Sequence, residues 1–74
     1  MNTSSFERLL KGFCNRQPFQ SFLIELLSGG RVVVSHPETI GVDGDMVHHQ
    51  DPTGRHRFFE TEAVSDLRDI PPKG

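Results

Sequence analysis

The sequence has a single cysteine, Cys14, and no tyrosine or tryptophan. One thiol cannot form an internal disulfide, so the chain is not typical of a disulfide-stabilised secreted scaffold, and a bridge between two copies is the less favoured alternative. The longest apolar-rich stretch, residues 22–27, is interrupted by Glu25 and is too short to span a membrane. The opening residues also lack the basic start and long apolar run of a secretory signal. These absences predict a cytoplasmic protein with no membrane partner.

An excess of positive charge is missing as well, because eight lysines and arginines stand against ten aspartates and glutamates, for a net charge of -2. Proteins that bind nucleic acid without sequence preference normally show a basic excess or a basic stripe. This chain shows no such excess overall, so a nucleic-acid role would depend on a local basic patch.

The length, 74 residues, predicts one domain over residues 1–74. A chain this short buries only roughly 60% of its unfolded surface on folding, so its stability is marginal. Small domains usually gain stability from a disulfide, a metal or a partner subunit. With no disulfide available, the sequence predicts a homo-oligomer, in which exposed strand edges pair between subunits.

The N-terminal segment has the pattern of an amphipathic helix. Ser4 and Glu7 match a capping box, in which the two side chains satisfy free backbone N–H groups at the helix start. Apolar residues then recur at helical spacing: Phe6, Leu9, Leu10 and Phe13. Pro18 prevents the helix from continuing. The pattern predicts a helix over residues 5–14.

Short apolar runs separated by turn residues follow the helix. Strands are predicted over residues 21–27, 31–35, 45–50, 55–61 and 66–70, with a shorter extended piece over 39–42 and a frayed tail over 71–74. Residues 28–30 and 51–54 have the composition of hairpin turns. Leu67 and Ile70 are expected to anchor the last strand. The fold class is therefore α+β, with one helix and a meander of about five short antiparallel strands over residues 21–70, as a bent sheet or small barrel.

The middle of the chain resembles a family of short bacterial proteins. The shared pattern runs from Pro18-Phe19 through an alternating strand, the Gly30-Arg31 hairpin and a valine-rich strand to His36-Pro37-Glu38, and it continues to the turn at residues 51–54. The chain departs from this pattern in the third strand, where His48, His49 and Gln50 replace aliphatic residues. The resemblance implies a fold unit and a bacterial origin but no activity.

A second resemblance, to the Sm-like RNA chaperones, rests on element order alone. Those proteins also have an N-terminal helix, a first strand that ends in a glycine hairpin, and a bent five-stranded sheet that assembles into rings. The resemblance implies a small Sm-like barrel, although the uridine-binding motifs are not visible in this sequence. A shared fold does not carry function.

The histidines around the second hairpin are a candidate metal site. The spacing allows His49 and His56 to face each other across the hairpin, with Asp51 near the turn, whereas His48 points to the opposite face. None of these spacings matches a metal motif. We therefore expect solvated polar residues on an exposed strand, and no bound metal or cofactor.

The His36-Pro37-Glu38 segment has two interpretations. In the catalytic one, His36 acts as a general base oriented by Glu38. In the structural one, the segment ends a strand, with a side chain capping free backbone groups. No nucleophile is paired with His36, so we expect a structural motif and no catalytic residue. Cys14, near the end of the helix, is expected to be a small buried apolar residue.

One basic-aromatic combination is present in the sequence. Its members are Arg31, Arg55, His56 and Arg57, next to Phe58 and Phe59. Basic groups beside exposed aromatic rings can hold single-stranded nucleic acid, although Asp51, Glu60 and Glu62 dilute the charge.

The sequence thus predicts a non-enzymatic, self-associating small-barrel module that binds another macromolecule, preferentially a protein. The alternative is an Sm-like binder of RNA or single-stranded nucleic acid that uses the Arg55/Arg57 strand.

Overall fold

A computed structural model describes residues 1–70, so the tail predicted over residues 71–74 lies outside the described residues. Its elements are α1 (Thr3–Cys14), β1 (Phe22–Leu26), β2 (Arg31–Val34), β3 (Ile40–Asp43), β4 (Met46–Gln50), β5 (His56–Glu60) and β6 (Val64–Asp69). Short 3-10 helices, Pro37–Thr39 and Thr61–Ala63, precede β3 and β6. In the described residues no helix is both long enough and apolar enough to cross a membrane.

Helix α1 begins two residues earlier than predicted, and the predicted capping box is wrong. The cap is Asn2, whose side-chain oxygen accepts the backbone N–H of Ser5 (2.8 Å). Asn and Ser are comparable N-caps. Because the helix includes Thr3, the N-cap position falls on Asn2 and not on Ser4. Along the apolar stripe Phe6 and Leu10 are buried, Phe13 is half-buried and Leu9 is exposed.

The six strands form two three-stranded antiparallel sheets, which confirms the α+β class. The first sheet has the order β2-β1-β6 and the second has the order β3-β4-β5. The prediction of a meander was wrong, because β6 returns to pair with β1 instead of continuing beside β5. Within residues 1–70 no ladder joins the two sheets, so the strands do not form a closed barrel.

The core lies between the two sheets and α1. Its buried members are Phe6, Leu10, Phe22, Ile24, Val32, Val34, Ile40, Val47, Val64 and Leu67. Phe13 of the helix stacks on Phe22 of β1, with the ring centroids 4.9 Å apart. This contact packs the helix against the first sheet.

Strand β6 shows why one predicted anchor failed. Leu67 is buried as expected, but Ile70 is 42% exposed and Val64 is fully buried instead. Val64 and Leu67 are three residues apart, and simple alternation would put them on opposite faces. Glu25 of β1 pairs with Asp66, but the next residue, Leu26, pairs with Val64, so Ser65 is an extra residue in β6. This register shift lets both Val64 and Leu67 reach the core.

The valine strand and the two hairpins match the prediction. Val32 and Val34 are buried, whereas Val33 between them is 48% exposed. Gly29 and Gly54 occupy the turns with φ values of +93° and +88°, a conformation that favours glycine. The strand order makes β2 one of the two edges of the first sheet, with β6 as the other.

Candidate interaction surfaces

A groove runs between the outer edge of β2 and the hairpin that joins β4 to β5. It consists of two adjoining cavities, the larger of about 450 Å³ and the smaller of about 180 Å³. Val33, His49, Asp51 and Pro52 line both cavities. Ser35, His36, Thr39 and Gln50 complete the larger cavity, and Arg31, Val32 and Arg57 complete the smaller cavity. We call this region the edge groove.

His49 forms the buried wall of the edge groove. It lies opposite Ile40 in β3 and Arg57 in β5, and its side chain is only 4% exposed. Its Nδ1 atom has no hydrogen-bond partner among residues 1–70. Burial lowers the pKa of His49, and Arg57 lowers it further, whereas the Asp51 carboxylate and the Val33 backbone raise it. Burial is the largest of these effects, so the ring is neutral at physiological pH.

Asp51 organises the turn at the other wall of the groove. Its Oδ1 atom accepts three hydrogen bonds, from the Thr53 N–H (2.9 Å), the Thr53 hydroxyl (2.6 Å) and the Arg55 N–H (3.0 Å). The Thr53 hydroxyl is the main reason that the pKa of Asp51 lies below its usual value. This carboxylate therefore holds the turn in shape and stays ionised at neutral pH.

The outer edge of β2 carries backbone groups that no other strand pairs among the described residues. The β1–β2 hairpin closes at a hydrogen-bonded pair, with the Leu26 N–H donating to the Gly30 carbonyl (2.8 Å). In an antiparallel ladder every second residue bonds to the partner strand, so Val32 and Val34 bond to β1. The residues whose N–H and C=O groups point away from β1 are Arg31, Val33 and Ser35.

The structure brings together only two of the four residues predicted to form a binding surface. Arg31 and Arg57 both line the smaller cavity of the edge groove. Arg55 precedes β5 in the turn, where its backbone N–H donates a hydrogen bond to the Asp51 carboxylate. His56 lies on the opposite face of the second sheet, because it pairs with Gln50 and not with His49.

His49 and His56 do not face each other across the hairpin, although the sequence spacing allowed it. The register places His49 opposite Arg57, so the two histidines point to opposite sides of the sheet. His56 instead shares the outer face with Phe58, its ring stacked at a centroid distance of 6.4 Å, and with His48. Across residues 1–70 no group of three or more potential ligands could hold a metal ion.

The outer face of the second sheet carries three neighbouring rings, those of His48, His56 and Phe58. The His48 ring lies over Gly41, where an added Cβ would come within 2.5 Å of the imidazole. Phe58 stands opposite His48 and is 68% exposed. We call His48, His56 and Phe58 the outer aromatic face. Because β5 is the last strand of its sheet, this face borders a second free edge.

The His36-Pro37-Glu38 segment ends β2, as predicted, but by a different contact. Neither the imidazole nor the carboxylate caps the 3-10 turn. The His36 carbonyl accepts both the backbone N–H (3.1 Å) and the hydroxyl (2.7 Å) of Thr39. His36 lines the edge groove, while Glu38 is exposed and makes no side-chain hydrogen bond in the described residues.

Cys14 is half-buried against the core, and burial raises the pKa of its thiol. A raised pKa disfavours the reactive thiolate, consistent with the predicted packing role. Just after the helix, Arg16 lies over the Phe13 ring and forms an ion pair with Asp69. These contacts hold the C-terminal end of α1 against β6.

Sequence reasoning missed the burial of His49. A usable signal was present, since Val47 and His49 share a strand face by alternation and Val47 is apolar. The edge of β2 that covers His49 comes from the other sheet, and local pattern does not reveal it.

Comparison of the chain with protein-family models, with curated proteins and with solved structures found no match. The two surfaces described above are therefore the basis on which a function can be inferred.

Proposed function

We propose that this chain is a non-enzymatic interaction module that self-associates and binds another protein through the free edges of its sheets. The observation that carries this proposal is the edge of β5, where Phe58 is 68% exposed beside unpaired backbone groups. A free strand edge with an exposed aromatic residue is a template for pairing with another chain. The occupant we assign to this edge is a second copy of the chain.

The sequence of β5 is complementary to itself in the antiparallel direction. The Thr61 N–H donates to the Asp45 carbonyl (2.8 Å), and alternation from this pair directs the backbone groups of His56, Phe58 and Glu60 away from β4. A two-fold pairing centred on Phe58 sets His56 opposite Glu60 of the second copy. In this register the two Phe58 rings meet across the strands, and the His56 ring can donate a hydrogen bond to the Glu60 carboxylate of the other copy. Both cross-strand pairs are favourable.

The edge of β6 is a poorer candidate for the same contact. Its exposed side chains are Ser65, Asp66, Arg68 and Asp69, and charged side chains on an edge strand oppose pairing. Arg68 and Asp69 are engaged in ion pairs with Glu25 and Arg16. The exposed apolar residue that a subunit contact requires lies on β5.

The order of elements also supports a distant relation to Sm-like small barrels. A helix precedes the strands, a 3-10 turn breaks the chain between β2 and β3, and β6 returns to β1. We propose this relation for the fold alone. We also propose that the protein is bacterial and that it is located in the cytoplasm. The single, half-buried cysteine suits a reducing compartment.

Light scattering on the purified chain tests self-association. At tens of micromolar we expect a dimer, and Phe58→Glu should give a monomer because it puts two like charges opposite each other at the two-fold centre. Leu27→Glu is the matched control, since Leu27 is equally exposed but lies in the β1–β2 turn. A monomeric wild-type protein, or a dimer that survives Phe58→Glu, would contradict the proposal.

The nucleic-acid alternative receives less support from the geometry. Arg57 lies on the face of the second sheet that contains Phe59, and Phe59 is packed against the core. The exposed ring, Phe58, is on the other face, so the phosphate-binding and base-stacking groups are separated. A high 260/280 absorbance ratio that falls after a high-salt wash, and that Arg55→Glu plus Arg57→Glu abolishes, would favour this alternative instead.

A further inference from the structure

We propose that the edge groove binds an extended acidic segment of a partner protein, which adds to β2 as an extra strand. This inference rests on the proposed function, because it specifies the chemistry of the protein partner. It uses the edge of β2, whereas self-association uses the edge of β5, so each can fail without the other.

The first support is the row of backbone groups on β2 that no other strand pairs within residues 1–70. Arg31, Val33 and Ser35 direct their N–H and C=O groups away from β1, and in residues 1–70 no other strand pairs with them. The Val33 carbonyl faces the His49 ring, whose pKa it raises, so the N–H of Val33 and the groups of Arg31 and Ser35 are the ones left for a partner strand. These groups repeat every second residue, at the spacing of one side of an extended peptide. Recognition by strand addition uses such an edge for affinity and neighbouring side chains for specificity.

The second support is the charge of the groove. Arg31 and Arg57 line its smaller cavity, and both arginines are exposed and free of ion pairs among residues 1–70. Asp51 is the one acidic residue among those that line either cavity, and its Oδ1 atom is occupied by three bonds within its own turn. Carboxylates on the bound segment would meet two guanidinium groups in the smaller cavity, which outnumber the one ionised carboxylate of Asp51.

The third support is His49. A polar atom buried without a hydrogen bond is costly, and the Nδ1 atom of His49 is such an atom at the wall of this groove. The imidazole packs between the outer edge of β2 and the second hairpin, and it lines both cavities. A polar group of a bound segment that reached this nitrogen would remove the cost.

A designed peptide tests the proposal directly. The probe is a fluorescein-labelled six-residue peptide of alternating glutamate and valine, followed by fluorescence anisotropy. We expect saturable binding, and the peptide with lysine in place of glutamate should bind more weakly by about tenfold or more. A peptide methylated on the backbone nitrogens of one side should also bind weakly, because it cannot complete the ladder.

Two variants of Val33 separate the backbone from the side chain. Val33→Pro removes the outward N–H without removing a β1–β2 ladder bond, since proline is tolerated where the N–H faces solvent on an edge strand. Val33→Ala keeps this N–H and trims the side chain. We expect the proline variant to lose about fivefold or more in affinity relative to the alanine variant.

A charge-reversal pair tests the two arginines. Arg31→Glu plus Arg57→Glu should weaken binding of the acidic probe by more than about tenfold. Arg8→Glu plus Lys11→Glu, on exposed positions of α1, changes the net charge equally and should leave binding nearly unchanged. Circular dichroism spectra that match the wild type establish that each variant is folded.

Several results would overturn this proposal. No saturable binding of the acidic peptide, equal affinity for the lysine peptide, or equal binding by the two Val33 variants would each do so. Tighter binding of a labelled single-stranded oligonucleotide that Val33→Pro leaves intact would assign the groove to nucleic acid instead. Phe58→Glu should retain peptide binding, so a failure of self-association is distinguishable from a failure here.

Discussion

The first sheet and the second sheet are equal in strand number but unequal in what they bury. In the described residues β1, β2 and β6 supply most of the core, including Phe22, Ile24 and Val34, whereas the second sheet supplies Ile40 and Val47. The second sheet instead exposes the outer aromatic face and holds the buried His49 wall of the edge groove. The first sheet thus carries stability, and the second sheet carries most of the groups available for recognition.

The prediction with the largest expected effect concerns the first sheet and its contribution to stability. Phe22→Ala removes a fully buried ring that stacks on Phe13, so it should lower the free energy of unfolding by about 3–5 kcal/mol, measured by urea titration. Phe58→Ala makes the same change in the second sheet and should stay within about 0.5 kcal/mol when measured on the monomer. Phe22→Leu gives a folded variant if the alanine variant is unfolded. Equal losses for the two alanine variants would remove the distinction between the sheets.

The helix that covers the core offers a smaller effect. Asn2→Ala removes the side-chain acceptor of the Ser5 N–H and should cost about 1 kcal/mol of stability in thermal or urea unfolding. Ser4→Ala is the control, because its side chain makes no hydrogen bond in the described residues and should have little effect. A larger loss from Ser4→Ala would restore the capping box predicted from the sequence.

The pH dependence of stability tests the second sheet at His49. Burial lowers the pKa of His49 below its ordinary value of 6.5, so below that pH the unfolded chain binds a proton that the folded chain does not. The free energy of unfolding should therefore be highest above pH 6.5 and should decrease as the pH falls below that value.

His49→Gln should flatten this dependence, and His56→Gln, at an exposed position, should preserve it. Asp51 does not titrate in this window, because its pKa lies below 3.8. Stability measured by urea titration between about pH 7.5 and 5.5 isolates the histidine contribution. An unchanged slope in His49→Gln would mean that the ring is not held neutral.

The smallest effect concerns the ion pair between Arg68 and Glu25 on the first sheet. Both side chains are partly exposed, so Arg68→Ala should cost about 0.2–1 kcal/mol at low salt. High salt should abolish most of this difference, because ions screen exposed charges. Arg57→Ala in the second sheet should leave stability unchanged. A loss that persists in high salt would show that Arg68 acts by packing.

The elements defined by local sequence were predictable. The hairpin at residues 28–30, the alternation of the valine strand and the turn at residues 51–54 depend on glycine, on β-branched residues and on Asp51, all of which act within a few positions. The stripe of α1 was predictable for the same reason, although Leu9 is exposed.

The elements defined by distant partners were not predictable. The return of β6 to β1 depends on pairing across about forty residues and on a register shift that local alternation cannot reveal. His49 looks polar within its own strand, and only the edge of β2 makes it a buried residue. Arg31 and Arg57 were both predicted as surface residues, but their joint place in one groove also follows from the contact between the sheets.

The alternating direction of the N–H groups in β2 has a consequence for their hydrogen-exchange rates. The amides of Val32 and Val34 are tied to β1, while those of Arg31 and Val33 face outward, so neighbouring amides of one short strand differ in their protection from solvent deuterium. Hydrogen exchange along β2 therefore follows a two-residue period in the free chain. A strand docked in the edge groove would slow the two fast positions and erase that period.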